Sequence, residues 1–326
     1  MSPAAGSRRG ARALSWAAAA ALVALPLLSG KFATYLGVRV ALLAIFGTGY
    51  NLLLGRTGLL SFGHGGFYAA GAYALGLCSL HLTAHPLPGL ALALAAGAAA
   101  ALVVGFFCIR ASEVYFSMLT LAFGMLIFAV VWNAREITGG DDGLVGVMRA
   151  PIALGPLRLD IAGERAFYLL AVALLAGSLW LAHRLRRSPF GLTLAGIREN
   201  PVRAEFAGVP VRRYRLAAFV ISGAYAGLAG GLEVLLESNA RPTMAHWTHS
   251  AEPILVSLLG GLHSLLGPAV GSLAFVALRE VVQRFTENWM LAFGVVLLVI
   301  ILGFRGGIVG AVEAGLRARR AGRAAP

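Results

Sequence analysis

Long apolar runs recur along nearly the whole chain, separated by short basic or glycine-rich connections. A helix needs about 20 mostly apolar residues to cross the hydrocarbon core of a bilayer. Such runs become helices because lipid satisfies no free backbone group. We therefore predict an all-α fold, a polytopic transmembrane helical bundle with about eight spans. The predicted spans are Leu14 to Ser29, Leu36 to Leu54, Gly65 to Leu82, Leu87 to Ile109, Val114 to Trp132, Phe167 to His183, Leu216 to Leu236 and Trp289 to Phe304.

Composition agrees with a protein dissolved in lipid. The chain is 59% hydrophobic and 13% charged, with a mean hydropathy of +0.80, whereas soluble domains are about 45–50% apolar. No long polar block or Pro/Ser-rich linker interrupts the runs, so residues 1–326 are predicted to form a single transmembrane domain. The net charge of +13 does not indicate nucleic acid binding, because the arginines lie between apolar runs rather than among stacking aromatic residues.

The first apolar run allows two interpretations. Arg8, Arg9 and Arg12 precede it, as in a signal peptide or in a first transmembrane helix. It ends in Leu-Leu-Ser-Gly without the A-x-A pattern of a cleavage site. This favours a retained helix behind a basic tail, residues 1–13.

The distribution of arginine predicts the orientation of the bundle. Cytoplasmic connections of membrane proteins carry an excess of Lys and Arg. The most basic segments here are residues 1–13, 184–215 and 305–326. We expect all three in the cytoplasm, so that both termini lie inside a cell (inner) membrane that the chain crosses several times.

One further apolar stretch, Glu252 to Ala277, is interrupted at its centre. Residues Leu259 to Gly271 read LGGLHSLLGPAVG, and broken helices are tolerated where the backbone lines a cavity or is buried in protein. We predict a re-entrant broken helix here. The alternative, a full ninth span, would put the basic C-terminal tail outside.

Segment 184–215 carries the signals of a short helix. Asn200 fits the N-cap, Pro201 the first helical position and Gly208 the stop. A helix of about two turns does not persist alone in water, so we expect it to pack on its own loop or on a partner protein. The alternative is that the arginines of this segment only anchor it in the cytoplasm.

This segment resembles the coupling segment of permeases in ATP-binding-cassette importers for branched-chain amino acids, the LivH/LivM type. The family pattern G-x-A-x-x-A-I-R-E-N-x-x-A-A-x-x-x-G is matched by Gly191, Ile197, Arg198, Glu199, Asn200, Ala204 and Gly208. Five other segments are also similar to the family: GRTGLLSFGHGGFYAAGAY from Gly55, YFSMLTLAFG from Tyr115, ITGGDDGLVG from Ile137, LAAFVISGAYAGLAGGL from Leu216 and LGGLHSLLGPAVG from Leu259. The chain departs from the family near Leu59, where a polar residue is common.

The resemblance implies a permease subunit that conducts a branched-chain amino acid or a related small polar solute by alternating access. It implies three kinds of partner besides the lipid bilayer: a homologous second permease, two cytoplasmic ATP-binding subunits and an extracytoplasmic solute-binding protein. It assigns ATPase coupling to Gly191, Arg198, Glu199, Asn200, Ala204, Glu205 and Gly208. The single lysine, Lys31, leaves no GxxxxGK[ST] phosphate loop in the chain itself.

Candidates for the solute pathway are Ser61, Gly63, His64, Thr120 and His263. Residues 61–64 precede a span after a glycine-rich turn, where free amides and an imidazole can meet a solute carboxylate. A buried structural turn is the alternative. A separate set, Gly223, Gly227 and Gly231, recurs at four-residue spacing, which is typical of close helix packing.

The other polar residues suggest no chemistry of their own. Arg39 and Glu233 are interpreted as long side chains that reach the membrane interface from within or near a span end. His246 and His249 lack a third metal ligand, and we find no catalytic set or cofactor motif. We predict no metal, no cofactor and no enzymatic activity. The alternative function is an ATP-independent channel or secondary transporter, for urea or an amide for example, which the scarcity of carboxylates within the spans disfavours.

Overall fold

The computed structural model describes residues 30–154, 157–285, 287–303, 306–312 and 314. The predicted span Leu14 to Ser29, the tail 1–13 and residues 315–326 lie outside this part of the chain. The α-helices are α1 Lys31–Thr57, α2 His64–Leu77, α3 Pro86–Cys108, α4 Glu113–Asn133, α5 Arg135–Thr138, α6 Glu164–Arg187, α7 Pro189–Glu199, α8 Pro201–Phe206, α9 Val211–Glu237, α10 Trp247–Gly260, α11 Gly267–Phe285 and α12 Trp289–Gly303. Residues 307–312 are also helical.

Shorter elements fill the connections. A π-helical turn, Cys78–Leu82, extends α2, and 3-10 turns span Gly140–Asp142 and Pro242–Ala245. Strand β1 (Leu144–Val145) pairs antiparallel with β4 (Asn239–Ala240), and β2 (Ile152–Leu154) with β3 (Leu157–Leu159). The prediction of an all-α bundle is confirmed.

Five helices are long and apolar enough to cross a bilayer: α1, α3, α4, α6 and α9. Residues 289–300 of α12 form a shorter apolar helix. Helix α2 and its π-helical turn together cover the predicted span Gly65 to Leu82, although α2 alone is shorter than a full span.

Helix α1 is the centre of the bundle. It packs against α6, α9, α10 and α11, and nearly every residue from Gly37 to Leu53 is buried. Helices α3 and α4 are peripheral and expose large apolar side chains, including Phe106, Phe107 and Met118. Such a surface is stable only against lipid or another protein.

The chain has two distinguishable ends. Helix α1 ends and α9 begins at one end, which carries Arg56, Arg186 and Arg198 and is called the basic end below. The start of α1 and the end of α9 meet at the far end, where Tyr35 Oη donates a hydrogen bond to Glu237 Oε1 over 2.6 Å. The two helices therefore run antiparallel.

Glycines let α9 approach α2 and α3 until backbones touch. A Cβ placed on Gly223 would lie 2.3 Å from Ala101 Cβ, one on Gly227 would lie 2.3 Å from the Ala93 carbonyl oxygen, and one on Gly231 would lie 2.7 Å from Ala93 Cβ. On the other side of α9, a Cβ on Gly71 of α2 would lie 2.2 Å from the Gly227 carbonyl oxygen. Small residues at this spacing allow such contact between membrane helices.

The break predicted within the apolar stretch Glu252 to Ala277 is present. Helix α10 ends at Gly260, residues 261–266 form a turn, and α11 runs back beside α10. Gly261 has φ +115°, and a Cβ on Gly260 would lie 1.7 Å from the Gly267 carbonyl oxygen. The backbone of Gly307 packs directly against this turn, since a Cβ there would lie 2.5 Å from the Gly261 amide nitrogen.

The far end of α9 is covered by the connection between α4 and α6. Arg149 Nη2 donates to the Leu236 carbonyl oxygen over 2.7 Å, and its guanidinium lies 4.5 Å from the Phe167 ring centroid. Burial lowers the pKa of Arg149 from its ordinary value. This arginine supplies donors to carbonyl groups at the helix end that have no partner within the helix.

The variant Gly227→Ala should lower the melting temperature of the detergent-solubilised protein. Its new Cβ overpacks the α3–α9 contact, which costs about 1–3 kcal/mol and exceeds the roughly 1 kcal/mol that alanine gains over glycine in a helix. Gly177→Ala in α6 is the matched control, because nothing lies within 4 Å of a Cβ there. Equal melting temperatures for the two variants would contradict the close contact.

Candidate solute pathway and coupling surface

The chain re-enters the bundle between α1 and α2. Gly58 ends α1 in the left-handed conformation, with φ 78°, and its amide donates to the Leu54 carbonyl oxygen. Residues 58–63 are then non-helical, and α2 begins at His64, a residue that is fully buried. His64 lies beside Ser222, near the middle of α9, so α2 starts inside the bundle rather than at its surface.

The imidazole of His64 joins both sides of this break. Nδ1 lies 2.9 Å from Ser61 Oγ and Nε2 lies 2.8 Å from Ser222 Oγ. The rings of Tyr50, Phe67 and Phe219 surround it, with centroid distances of 4.8, 5.2 and 5.5 Å. Both nitrogens therefore have partners in an otherwise apolar site.

The backbone of the break is satisfied by side chains. Tyr50 Oη donates to the Ser61 carbonyl oxygen over 2.9 Å and accepts from the Ser61 amide over 3.0 Å. Thr120 Oγ1 accepts from the Phe62 amide over 3.2 Å. The amide of Gly65, in the first turn of α2, donates to Ser250 Oγ over 2.7 Å, so it is not free to bind a solute.

The structure thus brings together four of the five predicted pathway residues: Ser61, Gly63, His64 and Thr120. A Cβ on Gly63 would lie 2.3 Å from the Thr120 carbonyl oxygen, which shows how tightly α4 covers the break. His263 lies elsewhere, in the turn between α10 and α11 at the basic end. The four grouped residues brace the break, and none of them lines the two cavities described next.

A charged cavity lies toward the far end of the bundle. Its volume is about 190 Å³. Its ionisable side chains come from four helices: Arg39 of α1, Glu233 of α9, His249 and Glu252 of α10, and Arg279 and Glu280 of α11. None of these was a predicted pathway residue.

The expectation that Glu233 reaches the membrane interface is wrong. Its side chain is buried, with 9% of its surface exposed, and Tyr68 Oη, also buried, donates to its Oε2. Arg39 likewise lines the cavity rather than the interface. The usable signal was the presence of an ionisable residue within an apolar run, which marks a functional site by default.

At the basic end, Arg198 ties segment 188–210 to both α1 and the α10–α11 turn, where its Nη1 lies 3.5 Å from His263 Nε2, and Arg186 at the end of α6 contacts the same turn. Arg198 Nη1 donates to the Gly55 carbonyl oxygen at the end of α1 over 2.7 Å. Arg186 Nη2 donates to the His263 carbonyl oxygen over 2.7 Å. These groups, with Glu199, surround an open cavity of about 410 Å³. Segment 188–210 therefore contacts both α1 and the α10–α11 turn.

Segment 188–210 holds two helices where the sequence predicted one. The predicted helix is α8: Asn200 Oδ1 accepts from the Arg203 amide over 2.8 Å, and Gly208 has φ +80°. Helix α7 was missed, although Ser188 caps it and Pro189 occupies its first position. Gly191 permits the sharp α6–α7 junction, because a Cβ there would lie 2.2 Å from the Leu185 carbonyl oxygen.

Helix α8 projects away from the bundle and presents an apolar surface. Phe206 is 90% exposed and Val202 58% exposed. They are four residues apart and so lie on one face of the helix. Glu199 and Glu205 are also exposed, whereas Ala204 is partly buried against the core. Sequence reasoning missed Phe206 and Val202 because the coupling pattern leaves their positions unspecified.

Within the described ranges, no group of three or more His, Cys, Asp or Glu side chains is placed to hold a metal ion.

A sequence model of the family described as "Branched-chain amino acid transport system / permease component" matches residues 32–303. The chain belongs to this permease family. It is accordingly an integral membrane protein, and its relatives are transport components rather than enzymes.

Individual relatives agree on transport and differ in solute. The permease is 30% identical to the high-affinity branched-chain amino acid transport system permease protein LivM of Escherichia coli, over 86% of this chain and 70% of the relative. It is 29% identical to LivM of Salmonella typhimurium with the same coverage. The nucleoside ABC transporter permease protein NupC of Lactococcus lactis is 23% identical over 57% of this chain and 62% of the relative. No solved structure matches the chain.

The variant Ser222→Ala should lower the melting temperature of the permease. It leaves one nitrogen of the buried His64 without its partner, which costs about 1–3 kcal/mol. In a His64→Leu background the same change should have little further effect, because the partner is already gone. Additive losses in the double variant would show that the 2.8 Å contact between His64 and Ser222 does not couple the two residues.

Proposed function

We propose that this permease imports branched-chain amino acids as one membrane subunit of an ATP-driven transporter. It pairs with a homologous second permease, receives solute from an extracytoplasmic solute-binding protein, and is driven by two cytoplasmic ATP-binding subunits. The observation that carries the proposal is the capped helix α8, which presents an unpartnered apolar face while α7 beside it is hydrogen-bonded to the bundle.

The basic end faces the cytoplasm in this proposal. Segment 184–215 carries many arginines, and such segments stay inside. The basic tail 305–326 then lies on the same side, because Gly307 packs on the α10–α11 turn at the basic end. The predicted span Leu14 to Ser29 would return the basic tail 1–13 to that side, since α1 begins at the far end. The multi-pass permease resides in the cell (inner) membrane with both termini in the cytoplasm.

Coupling works through differential binding. An ATPase dimer shifts the permease between two conformations only if it binds them with different affinity. Arg198 donates to the Gly55 carbonyl oxygen of α1, and the same guanidinium lies 3.5 Å from His263 Nε2 in the α10–α11 turn. A displacement of segment 188–210 is therefore transmitted directly to α1, α10 and α11, the helices that line the charged cavity.

Within this segment, the residues divide by role. Arg198 joins the segment to α1, Gly191 shapes its entry, and Asn200 with Gly208 caps α8 at its two ends. Exposed Glu199 and Glu205, together with the partly buried Ala204 that orients α8, complete the coupling surface. Val202 and Phe206 form its apolar centre.

The variant Phe206→Ala should reduce co-purification of the ATP-binding subunits by about tenfold or more, because buried aromatic anchors dominate interface energy. Its melting temperature should not change, since the ring contacts little of the permease itself. Phe285→Ala is the matched control, because that ring is 83% exposed on α11 toward the far end. An equal effect of both variants, or of neither, would contradict docking at α8.

Two further variants test the shape and charge of the same surface. Gly208→Leu forces a bulky residue into φ +80°, and Glu205→Arg reverses an exposed charge. Both should impair complex formation and ATP-driven uptake while leaving the membrane bundle folded. Normal assembly and normal uptake in both variants would overturn the proposed coupling role.

The solute is tested by uptake into proteoliposomes that contain the complete transporter and its binding protein. Leucine, isoleucine and valine should be imported, and guanosine should not. Import of guanosine in place of leucine would retain the transporter assignment and overturn the amino acid assignment.

A further inference from the structure

The charged cavity contains groups of both signs, and among them Glu252 forms ion pairs with His249 and Arg279, whereas Arg39 and Glu233 form none within 4.0 Å. It is lined by two arginines, three glutamates and His249, drawn from helices that are distant in sequence. Ionisable groups buried among transmembrane helices are costly unless they are paired or serve a polar pathway. A charged group in this cavity that has no partner within the protein is therefore expected to bind a ligand of opposite charge.

Arg39 has no carboxylate partner in the described part of the chain. Its Nη1 donates to Tyr35 Oη over 3.3 Å. Among the described residues, no carboxylate oxygen lies within 4.0 Å of a guanidinium nitrogen of Arg39. A guanidinium offers five donors in a planar fork that matches a carboxylate. Arg39 is thus positioned to receive an anion.

Glu233 has the opposite need. Tyr68, an uncharged donor, gives a hydrogen bond to one of its carboxylate oxygens. Among the described residues, no Lys, Arg or His nitrogen lies within 4.0 Å of a Glu233 oxygen. It is 9% exposed and lines the same cavity as Arg39. A buried carboxylate without a cation is positioned to receive one.

The remaining wall is polar but only loosely paired. Arg279 Nη1 lies 3.9 Å from Glu252 Oε1, beyond hydrogen-bond distance, and His249 Nδ1 lies 3.4 Å from Glu252 Oε2. His249 Nε2 is buried and has no hydrogen-bond partner among the described residues. These groups leave a donor or acceptor available to a ligand in the cavity.

Apolar side chains complete the lining. Leu42, Leu43 and Phe46 of α1 face Phe275 and Val276 of α11 across the cavity, and Phe46 and Phe275 are almost fully buried. The volume of about 190 Å³ is below the roughly 300–1,000 Å³ of pockets for drug-sized ligands. The cavity therefore fits a small molecule with an apolar part.

We propose that this cavity binds a free amino acid with an aliphatic side chain as a zwitterion. Its carboxylate pairs with Arg39, its ammonium group with Glu233, and its side chain packs against the apolar wall. The zwitterion neutralises both unpaired charges at once, which neither an anion nor a cation does. This assignment rests on the proposed function as an amino acid importer and adds a site within the permease itself.

The test measures binding of tritiated leucine to the complete membrane complex in nanodiscs, without the solute-binding protein. Isocaproate, which lacks the amino group, and isoamylamine, which lacks the carboxylate, serve as competitors. Wild-type complex should prefer leucine over each by about tenfold or more, because each analogue leaves one buried charge unpaired.

Variants assign each charge to its residue. Glu233→Gln keeps the size and the hydrogen bond from Tyr68, and it should abolish the preference for leucine over isocaproate. Arg39→Gln should abolish the preference for leucine over isoamylamine, and Arg39→Lys should restore part of it. Glu113→Gln is the control, since Glu113 pairs with Arg215 over 3.6 Å and does not line the cavity.

The outcomes separate the site from the function. Loss of the matching preference in each variant, with Glu113→Gln unchanged, supports the site. Leucine import with no leucine binding in nanodiscs, or with both preferences intact in the variants, overturns the site while the importer assignment stands. Absence of leucine import by the wild-type transporter with its binding protein overturns the amino acid assignment and the site with it.

Discussion

Lipid offers no hydrogen bond to a free backbone group, so every interruption of a helix in this bundle must be satisfied by the protein itself. Two interruptions dominate the permease. The first, residues 58–63, is held by Tyr50, His64 and Thr120. The second, residues 261–266, is closed by glycine contacts and by Arg186. The positions of α2, α10 and α11 depend on these two solutions.

The two interruptions also lie in different parts of the bundle and support different features of it. Residues 58–63 brace the interior and position Tyr68, which lies one turn after His64 and reaches Glu233. Residues 261–266 lie at the basic end, where His263 contacts Arg198 of segment 188–210. The charged cavity lies between helices that start or end at these breaks. A change at the basic end can therefore reach the cavity through rigid helices rather than through a chain of side-chain rearrangements.

Local chemistry made part of this predictable. The cap at Asn200, the proline after it and the φ-positive Gly208 are decided by residues that are adjacent in sequence, and the glycine spacing of α9 follows from helix geometry. Apolar run length likewise identified α1, α2, α3, α4, α6, α9 and α12, although α2 and α12 are shorter than a full span. Helix α7 was not predicted, because its Ser-Pro start was interpreted as part of a connection.

The charged cavity could not be predicted in the same way. Glu233, Arg39 and Glu252 come from three helices, and each alone looks like a side chain near a span end. Their significance arises only when α1, α9 and α10 are packed together. Sequence periodicity describes one helix at a time and contains no information on which helices become neighbours.

The exposure of Phe206 has a consequence for how this subunit is made. If α8 docks on ATP-binding subunits as proposed above, a copy of the permease without them leaves the Phe206 ring exposed, and exposed apolar surface of this kind attracts other proteins. Cells that produce the permease in excess of those partners would accumulate orphan subunits open to aggregation and proteolysis. Balanced synthesis of membrane and ATP-binding subunits is thus a requirement that follows from one short helix.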